Sequence, residues 1–324
     1  MNDILMHLVL VADATVRMST PLILAALAGL CSERAAVIDI GLEGKMLGGA
    51  FVAGTVSYMT GSVWLGLMAA IVASVLLALL HGFACITHRG NQVVSGMAIN
   101  IVVAGLAPTL GHALFHINGD TPSLPASARF MSITLPGADF FRDVPLLGPL
   151  YSELISGHNL LTYLTFALIP FVAWMLYKTR FGLRLRAVGE NPEAVDTAGI
   201  SVEWLRYRAV MIAGVLCGIA GASLSTALGA SFIRDMTAGK GYLALAAMIF
   251  GKWKPKLTVI ACLLFAFTDA LQARLQGVEL PIVGEIPVQF IIMLPYVMTV
   301  ILLAGFVGKV VAPKADGIPY VKER

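Results

Sequence analysis

The sequence predicts an all-α, polytopic membrane protein of about nine transmembrane helices (eight to ten), some of them interrupted or re-entrant. Three observations predict it. Hydrophobic residues are 58% of the chain and charged residues 13%, against roughly 45–50% and 25% in soluble domains. Uncharged runs exceed the length of one bilayer crossing. Finally, Lys and Arg gather in a few polar loops instead of spreading along the chain. No linker or low-complexity tract divides residues 1–324, so the chain reads as a single transmembrane domain in contact with lipid.

Residues 7–31 form the first span, with Asp13 and Arg17 one turn apart and able to neutralise each other. The start carries Asp3 and Asp13 without a basic n-region, so a cleaved signal peptide is not expected. Between Lys45 and Arg89 lie 43 residues without Lys, Arg, Asp or Glu. One helix of that length would reach about 65 Å, twice the hydrocarbon core, so two spans with a turn at Gly61-Ser62 are expected. Residues 90–119 make another uncharged stretch, with interruptions expected at Gly105 and Pro108. Residues 118–157 form a long loop with five prolines. Further spans are read at 159–177, 209–233, 257–273 and 286–308. The apolar run 241–251 is too short to cross, which suggests a half-span buried in protein. The stretches 44–54 and 241–251 share Gly, Ala and Gly at matching offsets, a weak internal echo.

The most informative polar segment is 178–208, which holds six of the 22 Lys and Arg residues. Within it a short helix is punctuated at both ends. Asn191 suits the N-cap, Pro192 the first helical position, and Glu193 the positive end of the dipole. Gly199 can close the helix in the left-handed conformation. So short a helix must dock on something to persist. The basic asymmetry places 178–208 and the C-terminus in the cytoplasm and the 118–157 loop outside; the N-terminus stays unassigned.

Function classes fall away next. The modest net charge of +3 lies in loops and does not read as nucleic-acid binding. Four scattered cysteines have neither metal nor redox spacing, and no HExxH or GxSxG motif occurs. Gly-Lys recurs at 44, 239, 251 and 308 but Ser or Thr never follows, so there is no Walker A loop. The chain is therefore expected not to be an enzyme, with no catalytic residues, no metal and no bound cofactor. His112 and His116, one turn apart, read as packed or interface histidines.

The run Arg186–Ala194 (RAVGENPEA), followed by Ala198-Gly199-Ile200, resembles the ATPase-coupling loop of bacterial ABC importer permeases of the branched-chain amino acid, ribose and nucleoside superfamily. Ile38–Leu47 (IDIGLEGKML) is similar to the NIGLEGMML segment of the nucleoside and simple-sugar branch. Gly239–Pro255 (GKGYLALAAMIFGKWKP) is similar to that branch's GRGFIALAAMIFGKWNP. Departures are Asp39 for the usual Asn, and Lys254 and Lys256 around Pro255.

That resemblance implies a permease subunit of an ATP-driven importer, for nucleosides or, as the alternative, simple sugars. A secondary carrier or a branched-chain amino acid permease is the weaker alternative. The implied partners are two ATP-binding cassette subunits carrying ATP and Mg, a second and non-identical permease, and a periplasmic or lipoprotein substrate-binding protein. The implied location is the bacterial cytoplasmic (inner) membrane. ATPase coupling would fall to Arg186, Gly189, Glu190, Asn191, Pro192, Glu193, Ala194, Ala198 and Gly199. Candidates along the substrate path are Asp39, Glu43, Asn100 and Gly241. Glu43 can bind cargo or cap backbone amides, and Asn100 can bind cargo or another helix. Gly48, Gly49, Gly218 and Gly221 can admit a flat base or simply bring helices together.

Overall fold

The computed structural model describes residues 2–136, 150–275 and 311–322, with a few positions between 279 and 300. The predicted span 286–308 and part of the 118–157 loop lie outside the described residues. Ten α-helices are described: α1 (Asn2–Glu33), α2 (Leu42–Thr60), α3 (Val63–Gly82), α4 (Gln92–Phe115), α5 (Leu160–Lys178), α6 (Arg180–Glu190), α7 (Pro192–Thr197), α8 (Val202–Ser223), α9 (Lys240–Phe250) and α10 (Pro255–Leu275). Short π-helical turns extend α3 over Phe83–Thr87 and α8 over Leu224–Leu228. A ribbon of two antiparallel strands, β1 (Glu279–Leu280) and β2 (Gly284–Glu285), and an isolated bridge between Ser132 and Asn159 are the departures from all-α among the described residues.

Six described helices are long and apolar enough to cross a membrane. The 19-residue α2, with Glu43 and Lys45 near its start, packs beside them against α3 and α8. The half-length α9 is the short helix that the eleven-residue run required. The expected total of about nine also includes 286–308, outside the described residues.

Burial sorts the spans into an interior and a rim. The most apolar window of α8 is 83% buried, whereas those of α4 and α5 are 28% buried. Around α8 pack α1, α2 and α3, and α1 also contacts α9 and α10. From Leu22 to Leu30 α1 shows almost no exposed side chain, as an interior helix should. The rim presents Trp64, Met68, Val72 and Leu76 on α3 and Ile101, Val102 and Leu106 on α4, all exposed. Lipid is no less apolar than these side chains, so close packing rather than hydrophobicity must join the inner helices. Gly218 and Gly221 supply it. A Cβ on Gly221 would stand 2.3 Å from the Met46 carbonyl oxygen, and one on Gly218 would stand 2.6 Å from Cα of Ile71. These glycines are filled by neighbouring backbone and leave no room for a flat base.

The proline in α4 is not an interruption. The helix runs through Pro108, and Thr109 Oγ1 donates to the Gly105 carbonyl (2.7 Å). Gly119 packs directly on Pro108. Neighbouring backbone and hydroxyl groups commonly make an intramembrane proline tolerable in this way. The predicted turn at Gly61-Ser62 does occur, with Gly61 at φ +68°.

The ends of the helices sort onto two faces. Arg34, the 83–92 turn, 178–208, 252–256 and the tail 311–322 share one of them, hereafter the basic face. Contacts tie it together: Arg34 donates to the Trp253 carbonyl (2.6 Å), Thr87 bonds Tyr207 (2.6 Å), and the Ala315 amide reaches Gly189 (2.9 Å). The beginning of α1 lies at the opposite face, where Asp13 pairs with Arg17 and stands 3.8 Å from His158. On that opposite face the 118–136 segment is stitched to the residues after α8. Thr121 exchanges two bonds with Phe232, and the Phe130 amide donates to the Thr226 carbonyl that the π-turn leaves free. His112 and His116 stand exposed at the end of α4, and no group of three metal-ligating side chains occurs among the described residues.

Candidate functional site

Two places collect the residues singled out above: the short helix α7 on the basic face, and the start of α2 within the bundle.

At the first, each turn is closed by its own side chain. Thr179 Oγ1 accepts from the Gly182 amide (3.0 Å) and starts α6 directly after α5. Along α6, Leu185 and Val188 are buried. Arg186 donates through Nε to the Leu176 carbonyl (3.1 Å), and its guanidinium lies 4.8 Å from the Tyr177 ring centroid. Asn191 Oδ1 accepts from the Ala194 amide (3.1 Å), with Pro192 as the first helical residue. The end of α7 is a Schellman closure. Gly199 stands at φ +75°, its amide bonds Asp196 O (2.8 Å), and the Ile200 amide bonds Val195 O (3.2 Å). Ser201 then caps α8 through the Trp204 amide (3.3 Å).

One apolar contact set holds the knob. Val195 of α7 packs with Val188, Val202 and Leu205, and Tyr320 of the tail lies against them. Glu190, Asn191, Glu193, Ala194, Ala198 and Gly199 stay exposed, while Gly189 is buried. The tail clasps the same element. Ala315 bonds the Gly189 carbonyl (2.9 Å), Arg206 Nη1 donates to Ile318 O (3.2 Å), and Lys322 lies 3.5 Å from Asp196. Burial pushes the Asp316 carboxyl in this clasp up to about 6, against the opposing pull of the Gly317 amide and Arg206.

At the second place, the Glu43 carboxylate accepts from the amides of Gly239 (2.8 Å) and Gly241 (2.6 Å). It thus caps the positive end of α9. Gly241 lies so close that a Cβ there would stand 2.6 Å from Cα of Glu43. Asn100 Oδ1 accepts from the Gly44 amide (2.8 Å), and its Nδ2 donates to Ile40 O (2.9 Å) and Tyr242 Oη (2.8 Å). Glu43, Asn100, Thr237 and Tyr242 line a cavity of about 320 Å³. Asp39 does not reach it. Its carboxylate is fully buried against Lys45 Nζ, at 2.6 and 2.5 Å. Beside this pair the buried His81 ring bridges Ser95 Oγ and Ile38 O, each at 3.0 Å.

The family model for the branched-chain amino acid transport system / permease component matches residues 11–303. The chain belongs to this permease family. Among its relatives, the guanosine ABC transporter permease protein NupQ of Bacillus subtilis (strain 168) is 39% identical, with 99% of each chain covered. The nucleoside ABC transporter permease protein NupC of Lactococcus lactis subsp. cremoris is 37% identical over 94% of this chain and 95% of its own. A putative glucose ABC transporter permease protein, TsgC13, of Haloferax volcanii is 36% identical over 85% of this chain and 80% of its own.

In this permease the structure gathers the 186–199 set on α6 and α7, with Glu190, Asn191, Glu193, Ala194, Ala198 and Gly199 exposed and Gly189 buried beneath them. It divides the four path candidates: Glu43 and Asn100 line a cavity, Gly241 donates its amide to Glu43, and Asp39 belongs to a buried ion pair. Sequence reasoning missed Lys45 and Tyr242 as partners, and the tail as a clasp. A lysine six residues after Asp39 was a visible signal for the pair. Nothing in the tail beyond its basic residues announced its docking.

Proposed function

We propose that this chain is the membrane permease subunit of an ATP-driven ABC importer for nucleosides. The observation that carries the coupling role is the capped helix α7, exposed at its tip and fixed at its base, on the face richest in Lys and Arg. By the positive-inside rule that face, including 178–208 and the C-terminus, is cytoplasmic. Two ATP-binding cassette subunits bind there with their ATP and Mg, a second and non-identical permease completes the pair, and a periplasmic or lipid-anchored binding protein delivers cargo to the opposite face. The membrane is the bacterial cytoplasmic membrane. No catalytic group belongs to this chain. Closure of the ATPase pair pushes residues 190–199; because α6, α7 and the start of α8 share one apolar contact set, the push passes into α5 and α8 and exchanges access between the faces.

The names of NupQ and NupC support guanosine or a related nucleoside as cargo. The likeness to TsgC13 favours a second reading, a simple sugar. Competition uptake by the complete complex separates them. Labelled guanosine should enter, with adenosine and uridine competing and glucose inert. Import of glucose without import of any nucleoside would replace the first reading by the second.

A further inference from the structure

A second cavity, of about 750 Å³, lies between α1, the π-helical end of α8, the start of α9 and the later half of α10. Arg17, Lys240, Asp269 and Gln272 supply its polar wall, and Leu224 and Leu243 are among its apolar lining. Its depth matters. Arg17 precedes Glu33 by sixteen residues on α1, and Asp269 follows Pro255 by fourteen on α10. At 1.5 Å per residue Arg17 and Asp269 stand about 20–24 Å from the basic face, toward the outer ends of their spans, and Lys240 opens the half-length α9 between the two faces.

Among the described residues their pairing is incomplete. Arg17 is bound to Asp13, which neutralises that charge. Lys240 and Asp269 interact electrostatically but make no ion pair, and neither they nor Gln272 make a side-chain hydrogen bond to a described residue. A half-buried ammonium and carboxylate without a direct partner among the described residues call for water or a bound solute to solvate them. The smaller cavity differs, because Glu43 and Asn100 already spend their hydrogen bonds on Gly239, Gly241, Gly44, Ile40 and Tyr242.

We propose that this larger cavity is the hydrated section of the cargo path, and that Asp269, Gln272 and Lys240 hold the hydroxyl groups of a nucleoside's sugar while its base lies on Leu224 and Leu243. The assignment rests on the nucleoside reading above. The site chemistry fits that class. Lys240 and Asp269 cancel in charge, which suits a neutral solute and disfavours a phosphate. A carboxylate accepts from hydroxyls, an ammonium donates to them, and an amide does both. The volume falls within the ordinary range for pockets that enclose a small organic ligand.

Two measurements on the complete complex test it. The four native cysteines are buried to 1% exposure or less, so they give little background to a hydrophilic thiol reagent. Gln272→Cys should react with a small charged methanethiosulfonate, whereas Ile260→Cys, exposed on the outer side of the same helix, should remain unreacted in lipid. Separately, Asp269→Ala and Gln272→Ala should each lower guanosine uptake on the order of tenfold. Stimulation of ATP hydrolysis by the loaded binding protein should stay within about twofold, which a misfolded permease would not permit. An inert Cys at 272, or wild-type uptake by both alanine variants, in a complex that imports guanosine overturns the cavity assignment alone. If the wild-type complex imports no nucleoside, the cargo reading itself fails, whatever Cys at 272 does, and the sugar-hydroxyl assignment falls with it.

Discussion

Asp39, a candidate along the substrate path in the sequence, lies in the fold in an ion pair with Lys45. Both are fully buried and bonded to each other. Removing one partner leaves an uncompensated buried charge, at about 3–5 kcal/mol, whereas removing both can be nearly neutral. Lys45→Met should therefore sharply lower the thermal transition of the detergent-solubilised protein. The double variant Asp39→Asn, Lys45→Met should recover most of the loss. A double variant as unstable as the single would show that the pair is not the unit that matters. Asp39 was visible as a departure from a motif, but Lys45 was not visible as its partner. A spacing of six fits neither the i,i+4 neighbours of a helix nor the alternation of a strand, and the chain turns between them at Thr-free, glycine-bearing Ile40-Gly41 before α2 begins. Glu43 and Asn100 were legible as polar groups that must face protein, yet the amides that Glu43 satisfies arrive on α9 from almost 200 residues away, and Asn100 finds its partners in the Gly44 amide and the Tyr242 hydroxyl.

At the scale of elements, α7 was readable because its signals are local: an N-cap, a proline at the first position and a glycine beyond the end. The same locality makes it testable. Gly199 holds φ +75°, a conformation that costs a β-branched residue of the order of 1–3 kcal/mol. Gly199→Val should leave the permease inserted and co-purifying with its partners but lower ATP-driven uptake at least tenfold. Gly199→Asn, which tolerates the left-handed region, should keep most of it. Equal transport by the two variants would separate the closed form of α7 from coupling.

The clasp by residues 311–322 was not readable, because Pro313 and Ala315 form no periodic pattern and are buried only by docking. It carries a pH dependence. The Asp316 carboxyl is raised from 3.8 to about 6 in the docked tail, so docking favours the protonated acid. The clasp is then tightest below about pH 4, loosens as pH rises through 4 to 6, and is level above that. Protease cleavage of the tail should quicken from pH 5 to pH 7, and Asp316→Asn should abolish that change. Cleavage that slows over this range would reverse the assigned sign.

For the whole molecule, the class and the two-faced distribution of charge were legible from composition and uncharged run lengths, since the bilayer constrains both. The order of packing was not. That α8 is interior and α4 peripheral follows from glycine contacts such as Gly221 against α2, and small residues alone do not name their partners. The side occupied by the start of α1, unassigned from charge, follows from Asp13 beside His158. The proposed role makes α7 an exposed lever, and its central claim is that force enters there from ATP hydrolysed elsewhere. Accumulation of labelled guanosine in vesicles holding the complete complex, with loaded binding protein on the cargo side, tests this most directly. Uptake should occur with ATP and cease with a non-hydrolysable analogue or when the ATPase subunits are omitted. Accumulation that continues without them would make the chain a self-sufficient carrier and contradict the account.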